Sequence, residues 1–60
     1  MEASKVAEYA RSLMNAHGDK AEAEAARKAK ELEDSGDKDQ AENWRRIRAA
    51  ISEIRGAHQG

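Results

Sequence analysis

Sixty residues are enough for one small domain, and a chain this short buries only about 60% of the surface that its unfolded form exposes. The chain contains no Cys, which excludes disulfides and thiolate zinc sites. Its 11 Lys and Arg residues against 12 Asp and Glu residues give a net charge of −1, which counts against a dedicated nucleic-acid binder. No apolar run approaches a membrane span and no signal peptide is visible, so we expect a cytoplasmic protein.

The composition predicts an all-α chain, because Ala, Glu, Lys and Arg dominate, Pro is absent and no strand pattern occurs. Glycine suits the left-handed residue that ends a helix, and two Gly-Asp pairs therefore predict breaks at Gly18-Asp19 and Gly36-Asp37. The expected segments are helices over residues 3–16, 20–34 and 38–55 and a tail over residues 56–60. We expect them to form a single domain, either a small three-helix bundle or a helical hairpin.

Both Gly-Asp pairs also carry the chemistry of a helix start. Asp19 and Asp37 suit an N-cap, and Glu22 and Gln40 follow three residues later, as in a capping box. The two junctions share the pattern G-D-K-x-x-A-E-x-x-R. Either a duplication or the common requirements of helix capping explains that match.

The first two segments differ in how much apolar surface they offer. In the first segment, the positions at helical spacing are Val6, Tyr9, Ala10, Leu13, Met14 and His17. In the second segment, the candidate inner face is Ala21 or Ala25 followed by Ala29 and Leu32. Because alanine contributes little burial, the second segment is expected to cover the rest of the bundle poorly.

The third segment carries the strongest pattern of the chain. Its apolar positions, which we call the third-helix stripe, are Trp44, Ile47, Ile51 and Ile54. They follow the alternating three-four spacing of a coiled-coil seam, and Ala41 and His58 extend it. One interpretation is a core that packs on the first helix, with Leu32 between them. The other, which does not exclude the first, is a seam that also serves a homo-oligomer or a partner, and the shortage of large apolar residues favours it.

A basic cluster adjoins the stripe and consists of Lys38, Arg45, Arg46, Arg48 and Arg55. One interpretation is a three-helix nucleic-acid-binding module that presents arginines to phosphates. The other, favoured by the balanced charge, is pairing with acids of the second helix and within helices, as for Glu42 with Arg46 and Glu24 with Lys28.

The sequence offers no recognisable catalytic or metal-binding pattern. The two histidines, His17 and His58, lie in different segments, whereas a metal site needs further converging ligands. No G-x-S-x-G motif or Gly-rich phosphate loop occurs. At the helix starts, Asp19 and Asp37 compete with any bound anion. We therefore expect no enzyme activity, no cofactor and no metal.

Two stretches resemble known families. An apolar helix end at Leu32, the turn at Gly36-Asp37 and Ala41 ahead of Trp44 resemble the middle of a tetratricopeptide repeat over residues 29–50, and this implies a helical hairpin. The run from Ala41 to Ile51 is similar to short uncharacterised bacterial helical-hairpin proteins. That resemblance implies a bacterial cytosolic origin and no particular chemistry.

These observations favour a small non-enzymatic protein-interaction module or accessory subunit, which self-associates or binds a partner through the third-helix stripe. Trp and Arg are typical anchors of protein interfaces. The expected partner-binding residues are Trp44, Ile47, Ile51, Ile54, Arg45, Arg48 and Arg55. The alternative is a nucleic-acid-binding module that uses the arginines of the third helix.

Overall fold

The computed structural model describes residues 2–57, and side-chain burial through residue 56. These residues form three α-helices: α1 spans Ala3–His17, α2 spans Ala21–Asp34 and α3 spans Lys38–Ala57. A 3-10 turn over Gly18–Lys20 joins α1 to α2. Within the described range there is no strand, so the prediction of an all-α fold with two breaks is confirmed.

The third helix is longer than expected. The tail was expected to begin at Gly56, but α3 continues through Gly56 to Ala57. A glycine inside a helix costs about 1 kcal/mol relative to alanine, which weakens a helix without necessarily ending it. The rest of the expected tail, including His58, lies outside the described residues.

The turn between α2 and α3 has the hydrogen bonds of a Schellman motif. Gly36 has a φ of 90°, its N–H donates to the carbonyl of Glu33, and the N–H of Asp37 donates to the carbonyl of Leu32. The N-cap predicted at Asp37 is confirmed, because its Oδ1 accepts the backbone N–H of Gln40 at 3.2 Å. The capping box is not closed, since the N–H of Asp37 already donates to Leu32.

The turn between α1 and α2 is built differently, although it has the same Gly-Asp sequence. Gly18 has φ 58° and ψ −126°, the conformation of the first central residue of a type II′ turn. The N-cap predicted at Asp19 is wrong: the N-cap residue is Lys20, and it makes no side-chain capping bond. The cause is the intervening 3-10 turn, in which the N–H of Ala21 donates to the carbonyl of Gly18.

The two later helices form an antiparallel hairpin whose facing surface on α2 is made of alanine. One ion pair joins Glu33 to Arg45 near the turn, and another joins Glu22 to Arg55 at the open end. The fully or nearly buried residues of α2 are Ala21, Ala25 and Ala29. Small side chains allow two helices to approach closely, so the thin inner face expected for the second helix is a packing surface.

The core is centred on Ile47 and Ile51, the largest side chains that are fully buried in the described chain. The other members of the core cluster are Val6, Ala10, Ala21 and Ala25. Partly buried side chains packed against it are Leu13, Met14, Trp44, Ala50 and Ile54. The core is apolar, since no polar or charged side chain of the described residues is buried. α1 thus packs on the hairpin formed by α2 and α3.

Candidate functional site

The third-helix stripe is covered unevenly by the rest of the chain. Ile47 and Ile51 have no exposed surface, so they belong to the chain's own core. Trp44 and Ile54, at the two ends of the stripe, are only half-buried. The structure therefore brings all four residues onto one face of α3 and leaves the two ends partly open.

An aromatic pair forms the edge of this covered region. The rings of Tyr9 and Trp44 lie 6.4 Å apart between centroids, inclined by 61° in an edge-to-face contact. Under the interpretation of the stripe as a core, Tyr9 packs on the third helix; in the structure 48% of its surface is exposed, and its neighbour Ala10 is fully buried. We call Tyr9 and Trp44 the aromatic edge. Helical spacing places Tyr9 on the apolar side of α1. It does not show whether a residue lies at the centre of that side or at its margin.

A shallow groove of about 330 Å³ runs between the start of α1 and the middle of α3. Its lining residues are Ala3, Val6, Arg46, Ala49, Ala50 and Glu53. Only Arg46 and Glu53 are charged, and alanine and valine supply the rest. This lining offers apolar contact, and no nucleophile or pair of acids converges in it.

Three of the predicted partner-binding residues, which we call the basic rim, lie along the groove between α2 and α3: Arg45, Arg48 and Arg55. Arg45 pairs with Glu33 of α2 and, at 3.5 Å, with Glu42 of its own helix. Arg55 pairs with Glu22 at 3.2 Å. The expected pairing with acids of the second helix is therefore confirmed for both arginines. All of these side chains are partly exposed, so each pair contributes about 0–1 kcal/mol to stability.

Of the two ion pairs expected within helices, one is present and the other has a different basic partner. Arg46 approaches Glu42 at 3.7 Å, which confirms the predicted pair. Glu24 pairs with Arg27 at 3.0 Å, where Lys28 was expected. Both spacings, three and four residues, place side chains on one helix face, and the planar guanidinium of arginine reaches both carboxylate oxygens.

Arg48 differs from the other arginines of α3. It forms no ion pair with any of the described residues, although it lines the groove between α2 and α3 together with Arg45 and Glu33. The groove has a volume of about 310 Å³, and Ala26 and Ala29 form part of its lining. Arg48 is thus the member of the predicted rim whose charge has no ion-pair partner within residues 2–57.

The described part of the chain contains neither a cluster of metal-ligating side chains nor a membrane-spanning helix. His17 is exposed at the last position of α1, and residues 2–57 contain no group of three side chains placed to hold a metal ion. In that range no helix has both the length and the apolar character that crossing a bilayer requires. The candidate site consists of the third-helix stripe and the side chains at its margins.

Comparison with known proteins identified no relative of this chain. The resemblances to tetratricopeptide repeats and to short bacterial hairpin proteins, drawn from Leu32, Gly36-Asp37, Ala41 and Trp44, stay predictions. No family model matches the chain, and neither a curated protein nor a solved structure matches it.

Proposed function

We propose that this chain is a small protein-interaction module or accessory subunit that associates with another chain through the third-helix stripe. The observation that supports the proposal is the uneven cover of that stripe. The chain's own helices bury Ile47 and Ile51 completely, whereas Trp44 and Ile54 keep exposed surface at either end. Tyr9, with 48% of its surface exposed, adds a second aromatic side chain beside Trp44.

The small size of the core gives association an energetic reason. Fully burying a large apolar side chain contributes about 1.5–3 kcal/mol, and ordering each residue costs about 1.5 kcal/mol. Ile47 and Ile51 are the only two large side chains that are fully buried among residues 2–56; the other buried positions are valine and alanine. A second chain that covers the half-buried ends of the stripe adds apolar burial that one copy cannot supply.

Within this proposal the residues have different roles. Trp44 and Tyr9 are the anchors, because their large rings contribute much contact area at little conformational cost. Ile54 extends the contact at the other end of the stripe. Arg48 lies at the basic rim and has no ion pair within residues 2–57, so its charge favours a partner with carboxylates and directs its approach.

Two measurements on the full chain test the proposal. Sedimentation equilibrium over a wide concentration range reports self-association. A photo-crosslinking residue, p-benzoyl-phenylalanine, placed at Tyr9 in cells that produce the protein reports a neighbour at the aromatic edge. The matched control places the same residue at Lys28, an exposed position on α2. Self-association, or a defined crosslinked product from position 9 but not from position 28, supports the proposal. A chain that is monomeric throughout and gives no product from position 9 contradicts it.

The nucleic-acid-binding alternative is less well supported than the protein-interaction proposal. Arg45, Arg46 and Arg55 each pair with a glutamate, which neutralises most of the positive charge that phosphates require. Lys38 and Arg48 are the members of the basic cluster without an ion pair within residues 2–57, and two cations are a weak basis for such a site, because backbone recognition of nucleic acids uses several cations together.

A further inference from the structure

The buried faces of α1 and α2 are in phase with each other across the turn between them. Met14 precedes Ala21 by seven residues and Ala10 precedes it by eleven, close to two and three turns of a helix with about 3.6 residues per turn. Val6 and Ala25 continue the same side at either end. If the turn at Gly18 became helical, the residues from 3 to 34 would form one helix with a single continuous apolar side.

Few interactions hold the chain in its bent form. At Gly18, φ is 58° and ψ is −126°, a conformation that residues with a Cβ rarely adopt. Asp19 makes no N-cap bond to the helix that follows. None of the ion pairs formed within residues 2–57 involves α1, whereas Glu33–Arg45 and Glu22–Arg55 join α2 to α3. The attachment of α1 is therefore mainly apolar, and that of the hairpin is both apolar and ionic.

We propose that two copies of this chain exchange α1, so that the third-helix stripe of each copy is covered by α1 of the other. In the exchanged dimer, Gly18 is helical, and Val6 and Ala10 of each copy pack on Ile47 and Ile51 of the other. This inference rests on the proposed function in taking the third-helix stripe as the surface shared between chains; the exchange restores the cover of Ile47 and Ile51 and leaves the exposed parts of Trp44 and Ile54 as they are in one chain. Exchange of an identical element reforms between two chains the contacts that it breaks within one, so its intrinsic cost is low.

The course of α1 in the single chain fits this exchange. α1 ends next to the open end of the hairpin, where Glu22 pairs with Arg55, and its Tyr9 reaches Trp44 nearer the closed end. In the exchanged dimer, the straight helix of the second copy meets the hairpin at its open end. Its α1 portion then runs along the hairpin in the same direction as α1 does in the single chain. It therefore brings its Tyr9 to the same Trp44, and both hairpins keep their own ion pairs.

The exchange is tested by substituting the turn residue and measuring association by sedimentation equilibrium. An alanine Cβ at Gly18 meets no atom within 4 Å, so Gly18→Ala acts only through backbone conformation. It disfavours the positive φ of the bent form and favours the helix of the exchanged form. Each dimer contains two substituted chains, so the preference for the helical form counts twice. We therefore expect the dimer dissociation constant to fall on the order of a hundredfold or more.

Two matched variants separate this effect from a general gain of helix. Gly56→Ala makes the same change at an exposed position of α3, where a Cβ also meets nothing within 4 Å, and we expect no shift in the dissociation constant. D-alanine at Gly18, introduced by chemical synthesis, suits a positive φ and disfavours a right-handed helix. We expect it to weaken association relative to the unmodified chain.

Crosslinking between two differently substituted chains identifies the exchange itself. Ala3 and Glu53 are exposed and line the same groove between α1 and α3. Because the natural sequence contains no cysteine, Ala3→Cys and Glu53→Cys each introduce a single reactive thiol. A mixture of the two single variants in the Gly18→Ala background, treated with a short bismaleimide, is expected to give the mixed crosslinked dimer. A folded Gly18→Ala chain that remains monomeric, or a dimer that yields no mixed product, overturns the exchange.

The outcome for the exchange can be distinguished from that for the proposed function. If Gly18→Ala stays monomeric while the crosslinker at Tyr9 captures a different protein, the exchange is wrong and the interaction module stands. If circular dichroism shows that Gly18→Ala is unfolded, the same crosslinking experiment is carried out with Gly18 retained, on the two cysteine variants mixed at high concentration. A mixed product there supports the exchange, and its absence overturns it.

Discussion

The ring of Tyr9 meets the ring of Trp44 edge to face, with 6.4 Å between the centroids, and this contact joins α1 to α3 at the margin of the core. Aromatic pairs of this geometry contribute about 0.5–1.5 kcal/mol beyond the area that they bury. Both the attachment of α1 and the proposed interface therefore depend on the same two side chains.

A double-mutant cycle tests this contact. We expect Tyr9→Ala and Trp44→Leu together to lower the free energy of unfolding by less than the sum of the single effects, with a coupling of about 0.5–1.5 kcal/mol. Urea denaturation followed by circular dichroism provides the four values. Tyr9→Phe is the control, since it keeps the ring and is expected to retain the coupling. Strict additivity of the two changes would mean that the rings do not interact in solution.

Truncation along the third-helix stripe should reveal its uneven cover. Ile51 is fully buried, so Ile51→Ala is expected to lower the free energy of unfolding by about 2–5 kcal/mol, and Ile51→Val by about 0.5–1.5 kcal/mol. Ile54→Ala removes the same atoms from a half-buried position and is expected to cost less. Thermal unfolding at low protein concentration, where association is minimal, supplies the comparison. Equal losses at both positions would contradict the burial described here.

The two aspartates after the glycines provide a matched pair. Asp37 accepts the N–H of Gln40, so we expect Asp37→Ala to cost about 1 kcal/mol. Asp19 makes no such bond to α2, and Asp19→Ala is expected to change stability by less than about 0.5 kcal/mol. Chemical denaturation of both variants under one condition tests the difference. A larger loss at Asp19 would show that the first turn is capped in solution as its sequence predicts.

The ion pair between Arg55 and Glu22 should contribute little and should be sensitive to salt. Because both side chains are partly exposed, we expect Arg55→Gln to cost no more than about 1 kcal/mol at low salt, and less at high salt. Arg48→Gln is the control, since Arg48 has no ion pair within residues 2–57. Stability measured at two salt concentrations should separate the two variants. An equal response of both would indicate that net charge, not the pair, sets the salt dependence.

Nucleic-acid binding should be absent or weak. With Arg45 and Arg55 held by glutamates, we expect no increase in fluorescence anisotropy when the chain is added to a labelled duplex or single strand at low salt. Binding that falls steeply with added salt, and that Arg48→Gln weakens, would instead support the alternative function. In that case the groove between α2 and α3 would be the surface to map.

The sequence by itself determined the three helices and the two breaks between them, because these depend on interactions between near neighbours. It ended the third helix at residue 55, whereas α3 continues to Ala57. Residue propensities define the helical segments, and Gly18 and Gly36 mark both breaks, since their positive φ favours glycine. The sequence also identified the third-helix stripe, whose spacing reflects only the geometry of one helix. It predicted the alanine face of α2 and the capping role of Asp37 for the same reason.

Only the tertiary structure decided how those parts are used. The pairs Gly18-Asp19 and Gly36-Asp37 have the same sequence but form different turns: a 3-10 turn over Gly18–Lys20 leads into α2, whereas the N–H of Asp37 donates to the carbonyl of Leu32 in a Schellman motif. Docking of α1 placed Tyr9 at the margin and Ala10 inside, a distinction that helical spacing cannot make. It also buried Ile47 and Ile51 while leaving Trp44 and Ile54 partly open. Burial depends on which residues distant in the chain meet, and a local pattern does not contain that information.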